Sequence, residues 1–133
     1  MIYYSDGYCL LKNPSPKGGG FTVFNRKNKL IMEMRIEKSG FTNNEAELLG
    51  VYNAIKLAKK FDSVVTDSQI ALGWIYRKSC GSRKDLNSIA IESHKLMVEK
   101  EINLAWLPRE YNLAGHYNEQ YEEQNLFNLE RTN

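Results

Sequence analysis

The sequence has little of several things, and each shortage removes a class of protein. It holds two cysteines in 133 residues, Cys9 and Cys80. They are too few and too far apart for a disulfide framework or a paired-cysteine metal site, so a reducing compartment is the simpler expectation. No apolar run approaches the roughly 20 residues that a membrane span needs. The opening Met1-Ile2-Tyr3-Tyr4-Ser5-Asp6 lacks the basic-then-apolar order of a secretion signal. The expected location is therefore the cytoplasm, with no membrane partner. There are no repeats and no low-complexity tracts. Neither sign of charge dominates: 18 Lys and Arg stand against 16 Asp and Glu, a net charge of +2.

What is present suits a folded domain. Hydrophobic residues make up 42% and charged residues 26%, outside the range of disordered chains. The length fits one domain over residues 1–133, expected to be monomeric, with enough chain to bury a core unaided. The charge is unevenly spread. Residues 117–133 carry four acids and one base, leaving 17 bases against 12 acids in the first 116 residues. That balance is compatible with a polyanionic partner without requiring one.

Periodicity divides the chain into two styles. Residues 2–11 read as a strand, Asn13 to Gly20 as a turn cluster, and Phe21-Thr22-Val23-Phe24 as a second strand. Asn25-Arg26-Lys27-Asn28 is a hairpin turn. Beyond it Leu30, Met32, Met34 and Ile36 alternate with charged residues in a half-buried third strand. These three make an antiparallel meander. Thr42-Asn43-Asn44 then starts a helix, with apolar residues at helical spacing from Ala46 to Lys60. A short strand at 63–66, a helix at 68–77, a polar loop to Asn87, a helix at 89–100, a strand at 102–107 and a last helix from about 113 to 129 complete the order β-β-β-α-β-α-α-β-α. Strands alternating with helices pair in parallel through right-handed crossovers. The expected fold is α/β: a mixed five-stranded sheet, three antiparallel strands plus two parallel, flanked by helices.

Three acids fall where a core is expected. Asp6 follows Ile2 and Tyr4 at period two and shares their face. Glu47 precedes Val51, Ala54 and Ala58 by 4, 7 and 11 residues and so lies on an apolar stripe. Asp67 ends the short strand at 63–66, and the carboxyl ends of parallel strands are where ligands bind. A carboxylate facing a core is costly unless a charge or a metal meets it. Each has a plainer reading: Asp67 as a cap for the helix after it, Glu47 as a rim residue or a capping-box partner of Asn44. Asp6 is the hardest to explain plainly, since Asp is a poor strand residue. If the three converge they form an oxygen-rich site suited to Mg2+ or Mn2+.

At these residues the sequence resembles the ribonuclease H family, type 1. Ser5-Asp6-Gly7-Tyr8-Cys9 with Asn13-Pro14-x-Pro16-x-Gly18-Gly19 is similar to the family's opening strand and turn. Thr42-Asn43-Asn44-Glu45-Ala46-Glu47-Leu48 is similar to its T-N-N-x-A-E-L helix start, and Thr66-Asp67-Ser68-Gln69 to its T-D-S strand end. Trp106-Leu107-Pro108-Arg109-Glu110-x-Asn112 resembles its W-x-P-R-E-x-N segment. The resemblance spans residues 1 to about 120. It implies an endonuclease that hydrolyses the RNA strand of an RNA–DNA hybrid, with two Mg2+ or Mn2+ ions held by Asp6, Glu47 and Asp67. It also implies substrate contacts at Asn43, Asn44 and Gln69, helped by Asn13 and the backbone at Gly7 and Cys9. Amides both donate and accept, which suits a ribose 2′-hydroxyl; helix capping is the plainer role for Asn43 and Asn44.

The sequence departs from the family in three places. Where the family has a fourth acid, the spacing from Trp106 puts Gly115-His116, with Glu119 and Glu122 as rivals for that catalytic and metal-ligating position. Arg109-Glu110-Tyr111-Asn112 replaces a flexible loop carrying a catalytic histidine. The Arg77–Lys84 loop, with Arg77, Lys78, Arg83 and Lys84, is a short substitute for the family's basic handle. Two other functions compete: a non-enzymatic nucleic-acid-binding module on the same fold, and a nuclease acting on DNA. The intact acids oppose the first and the paired Asn43-Asn44 opposes the second.

Overall fold

The computed structural model describes residues 1–112 and Ala114. His116, Glu119, Glu122 and the last predicted helix lie outside the described residues. The strands are β1 (Ile2–Cys9), β2 (Gly18–Asn25), β3 (Leu30–Glu37), β4 (Ser63–Thr66) and β5 (Asn103–Trp106). The helices are α1 (Asn43–Leu57), α2 (Gln69–Arg77) and α3 (Asn87–Glu99). One sheet has the order β3-β2-β1-β4-β5. β1, β2 and β3 pair antiparallel, whereas β1–β4 and β4–β5 are parallel. This is the mixed sheet that the alternation of patterns predicts.

Boundaries differ from expectation where glycine misleads. Gly18, Gly19 and Gly20 read as turn residues but form the start of β2, paired with Cys9, Tyr8 and β3. Gly18 has φ 116°, and a Cβ on Gly19 would collide with the Tyr8 carbonyl. The glycines thus serve close strand approach as well as turning. β1 stops at Cys9 rather than Leu11, whose φ of 73° breaks the strand. α3 begins at Asn87, two residues before the expected Ile89.

α1 is the element that positions the site. Thr42 caps it, its Oγ1 accepting the Glu45 N–H at 3.1 Å. Leu48, Val51, Ala54 and Ile55 are fully buried in a core shared with Phe21, Val23, Val64 and Leu104 of the sheet and Ile75 and Ala90 of α2 and α3. Each large apolar side chain so buried contributes about 1.5–3 kcal/mol. At the other end Lys100 Nζ donates to the carbonyls of Ile55, Lys56 and Ala58 at 2.9–3.0 Å. It satisfies acceptors that a helix terminus leaves open. Among the described residues, no helix is long and apolar enough to cross a membrane.

Candidate functional site

Strand register brings the first two acids together. Ser5 of β1 pairs with Thr66 of β4 in parallel, so the residues that follow, Asp6 and Asp67, sit side by side. Asp67 is the first residue past the carboxyl end of β4. It does not cap α2: that hydrogen bond belongs to Ser68, whose Oγ accepts the Ala71 N–H at 3.0 Å. The Trp106 indole N–H donates to the Asp67 carbonyl at 3.0 Å, tying the end of β5 to the same point.

Glu47 arrives from α1, and Gly7 decides how close it comes. By alternation Ser5 and Gly7, paired with Val23 and Phe21, face α1. A Cβ on Gly7 would collide with the backbone of Ala46 and Glu47. Any side chain at Gly7 would lift the helix and carry Glu47 away from Asp6. Nor is Glu47 part of a capping box, because the N-cap is Thr42.

The outcome is a cluster in which Asp6, Glu47 and Asp67 each offer a carboxylate oxygen within 4.8 Å of the others. Asp6 is fully buried and Glu47 is 8% exposed. Glu47 Oε2 and Asp67 Oδ2 are buried with no hydrogen-bond partner. Burial first, then the charges of Asp6 and Asp67 and a hydrogen bond with Asp6, push the Glu47 carboxyl well above the usual range, although the Gly7 N–H opposes this. Burial also raises Asp67, against the pull of Arg109. Among the described residues the ion pairs to the cluster come from Arg109, whose Nη1 lies 4.0 Å from Asp6 Oδ1 and 3.9 Å from Asp67 Oδ2. Hard oxygen donors, buried and close together, fit divalent cations such as Mg2+ or Mn2+.

The acids open on a cleft of about 310 Å³ lined by Gly7, Asn43, Asn44, Glu47, Asp67, Ser68 and Arg109. Asn43 is exposed and Asn44 half-buried at the first turn of α1. Asn13 holds this turn from outside, its Oδ1 accepting the Asn43 N–H at 3.1 Å. Gln69 is exposed at the start of α2 and does not line the cleft. The Cys9 thiol is buried and donates to the Phe41 carbonyl at 3.3 Å, so Cys9 offers a ligand only its backbone.

Two residues at the site were named from the sequence without a role. Arg109 lines the cleft. Asn112 is fully buried, its amide donating to the Ser5 carbonyl at 2.9 Å, and its presence near Asp67 helps to lower the Asp67 pKa. Both belong to the Trp106–Asn112 segment. A polar residue that recurs in a motif yet has no place in a helix or strand pattern was the available signal. The α2–α3 connection also differs from expectation. Arg77, Lys78 and Lys84 are exposed, whereas Arg83 turns inward to Glu45 and Thr42.

A family model described as RNase H matches residues 1–123. The chain belongs to the ribonuclease H family and is a ribonuclease H domain over that span. Solved structures share the fold. The N-terminal RNase H domain of a Mycobacterium tuberculosis protein, solved as a fusion with maltose binding protein, is 24% identical. The match covers 88% of this chain and 93% of that one, with a TM-score of 0.64. RNase H1 from the halophilic archaeon Halobacterium salinarum is 19% identical over 88% and 92% of the two chains, TM-score 0.64. LC11-RNase H1, solved in complex with an RNA/DNA hybrid, is 22% identical over 84% and 87%, TM-score 0.58.

Proposed function

We propose that this protein is a metal-dependent endonuclease that hydrolyses the RNA strand of an RNA–DNA hybrid, acting as a single domain over residues 1–133. The observation that carries the proposal is the Asp6–Glu47–Asp67 cluster, with the unpartnered buried oxygens of Glu47 and Asp67, beside the two amides of Asn43 and Asn44. Membership of the ribonuclease H family supports it, as does the hybrid bound by LC11-RNase H1.

The chain's own contribution divides into holding and reading. Asp6, Glu47 and Asp67 would hold the cations, and their fixed backbones leave little to reorganise when the charges arrive. Two ions held there would supply an activated water and stabilisation of the leaving oxygen in phosphodiester hydrolysis. Asn43 and Asn44, which line the cleft with Glu47 and Asp67, would face the minor groove, and each amide can donate to or accept from a 2′-hydroxyl. Gln69, Asn13 and the backbone of Gly7 and Cys9 extend that contact along the strand. Arg109, within 4.0 Å of two of the acids, balances part of their charge. His116 is proposed for the fourth catalytic and metal-ligating position, with Glu119 and Glu122 as alternatives.

The test is cleavage of matched RNA–DNA, RNA–RNA and DNA–DNA duplexes with Mg2+ and with EDTA. Cutting confined to the RNA of the hybrid, and abolished by EDTA, is expected. A non-enzymatic binding module would bind the hybrid in Mg2+ and leave it whole, and that result would overturn the proposal.

A further inference from the structure

Glu45 is a buried acid that the proposed chemistry does not use. It is 5% exposed and meets two cations, one from just before the helix and one 38 residues away in sequence. Lys38 Nζ, just past β3, lies 2.7 Å from its Oε2. Arg83 Nη2, from the α2–α3 connection, lies 2.9 Å from its Oε1. Arg83 also donates through Nη1 to Thr42 Oγ1 at 3.1 Å, the same oxygen that caps α1. Its Nε and Nη2 fork onto Asp85 at 3.0 and 2.9 Å, which orients the guanidinium. On the far side, Asn13 takes the Asn43 N–H. Three segments therefore converge on one helical turn, the turn that carries Asn43 and Asn44.

An N-cap needs only Thr42. It does not need a buried carboxylate beside it, nor an arginine from a separate loop bonded to cap and carboxylate at once. Lysine could not do the same, because only a planar guanidinium reaches Thr42, Glu45 and Asp85 in fixed directions. A guanidinium so occupied is also unavailable as a phosphate clamp. This sets Arg83 apart from the exposed Arg77, Lys78 and Lys84 of the same connection.

We propose that Arg83 and Glu45 are positioning residues that hold the first turn of α1, and with it Asn43 and Asn44, in register with the ribose-bearing strand; this rests on the hybrid-cleaving function proposed above. Glu47 lies farther along the helix, where Leu48 and Val51 are packed into the core and Gly7 fits against the backbone. Releasing the first turn therefore disturbs substrate reading more than it disturbs the acids.

The test compares Arg83→Gln, Glu45→Gln, the double variant and Arg83→Lys in the full chain, by steady-state cleavage of an RNA–DNA hybrid oligonucleotide with Mg2+ at several salt concentrations. Each single Gln variant should raise KM about tenfold and change kcat less than about threefold, the pattern of lost positioning in substrate binding. The double variant should be no worse than either single one, because both remove the same interaction. Arg83→Lys should recover part of KM. The salt dependence of KM should match the parent, since no phosphate contact is lost. Asp62→Asn, which removes an ion pair at the opposite end of β4, should leave KM unchanged. Parental KM in folded Arg83→Gln overturns the proposal, as do additive single effects, a fall confined to kcat, or a raised KM in Asp62→Asn. A flattened salt slope overturns it too, by making Arg83 a phosphate contact. If Arg83→Gln does not fold, Glu45→Gln and Arg83→Lys carry the same comparison. If the parent neither cuts nor binds the hybrid, the functional reading fails and this proposal with it; if the parent cuts and the variants match it, this proposal fails alone.

Discussion

Glu45 and Glu47 lie two residues apart on one helix and are almost equally buried, at 5% and 8% exposure, yet their surroundings are opposite. Glu45 is closed: Lys38 and Arg83 meet its two oxygens, and the pair is finished within the protein. Glu47 is open: its near neighbours are Asp6 and Asp67, and one oxygen has no partner. Burial is thus no guide to role. What separates a structural acid from one that awaits a cation is whether the fold itself supplies the compensating charge.

The comparison can be broken most sharply at the open end. Asp6→Asn should leave the fold intact and lower hybrid cleavage by at least about a thousandfold, roughly 4 kcal/mol of barrier. Activity within tenfold of the parent, measured with Mg2+, would remove Asp6 from the mechanism. The next largest effect concerns the position outside the described residues. His116→Ala should lower turnover by about 10- to 1,000-fold, the range of an assisting proton-transfer group. A silent His116→Ala alongside a crippled Glu119→Gln or Glu122→Gln would move the fourth position to that glutamate.

Stability tests the same contrast without activity. In EDTA near neutral pH, Glu45→Gln should destabilise the protein by about 2 kcal/mol, by breaking a largely buried pair whose cations are partly solvated. Glu47→Gln should instead stabilise it, by removing a buried carboxylate crowded by Asp6 and Asp67. The sign follows from linkage. The folded state raises the Glu47 pKa, so it holds that proton more tightly than the unfolded chain does. The resulting stability is full below the ordinary carboxylate value and fades as pH rises through the raised one. Denaturant titrations across that window should slope downward in the parent and flatten in Glu47→Gln. Equal behaviour of the two Gln variants would erase the distinction between closed and open acids.

The smallest expected effect is on salt dependence. Neutralising Arg77, Lys78 and Lys84 together should flatten the plot of log affinity against log salt by at most about 0.7–0.9 per base. An unchanged slope would make the whole connection a solvated linker.

The sheet was legible because its two kinds of strand obey different rules. Alternation betrayed Leu30 to Ile36 as a strand but overstated its burial, since Leu30 and Met34 are exposed on this edge strand; the short apolar run at 63–66 betrayed a strand buried on both faces. The acids stood out as violations of those patterns, which is why Asp6, Glu47 and Asp67 could be named before their geometry was seen. The glycines at 18–20 were misread because local sequence cannot distinguish a glycine that turns from one that admits a neighbouring strand. Arg83 was misread for a related reason. A charge count within a loop says nothing of Glu45, 38 residues away in sequence. Asn112 is the same case, its partner Ser5 lying 107 residues distant.

The pairing of Ser5 with Thr66 acts as a gauge. Adjacent strands keep a spacing of about 4.8 Å whatever their side chains, so the distance from Asp6 to Asp67 is machined by backbone hydrogen bonds and resists adjustment by substitution nearby. Glu47 is the movable jaw, set by how deeply α1 seats on Gly7. A redesign meant to admit a larger cation should therefore leave both strands alone and alter the seating of the helix. Since Gly7 is already at the closest approach a residue allows, that jaw can be opened but not tightened.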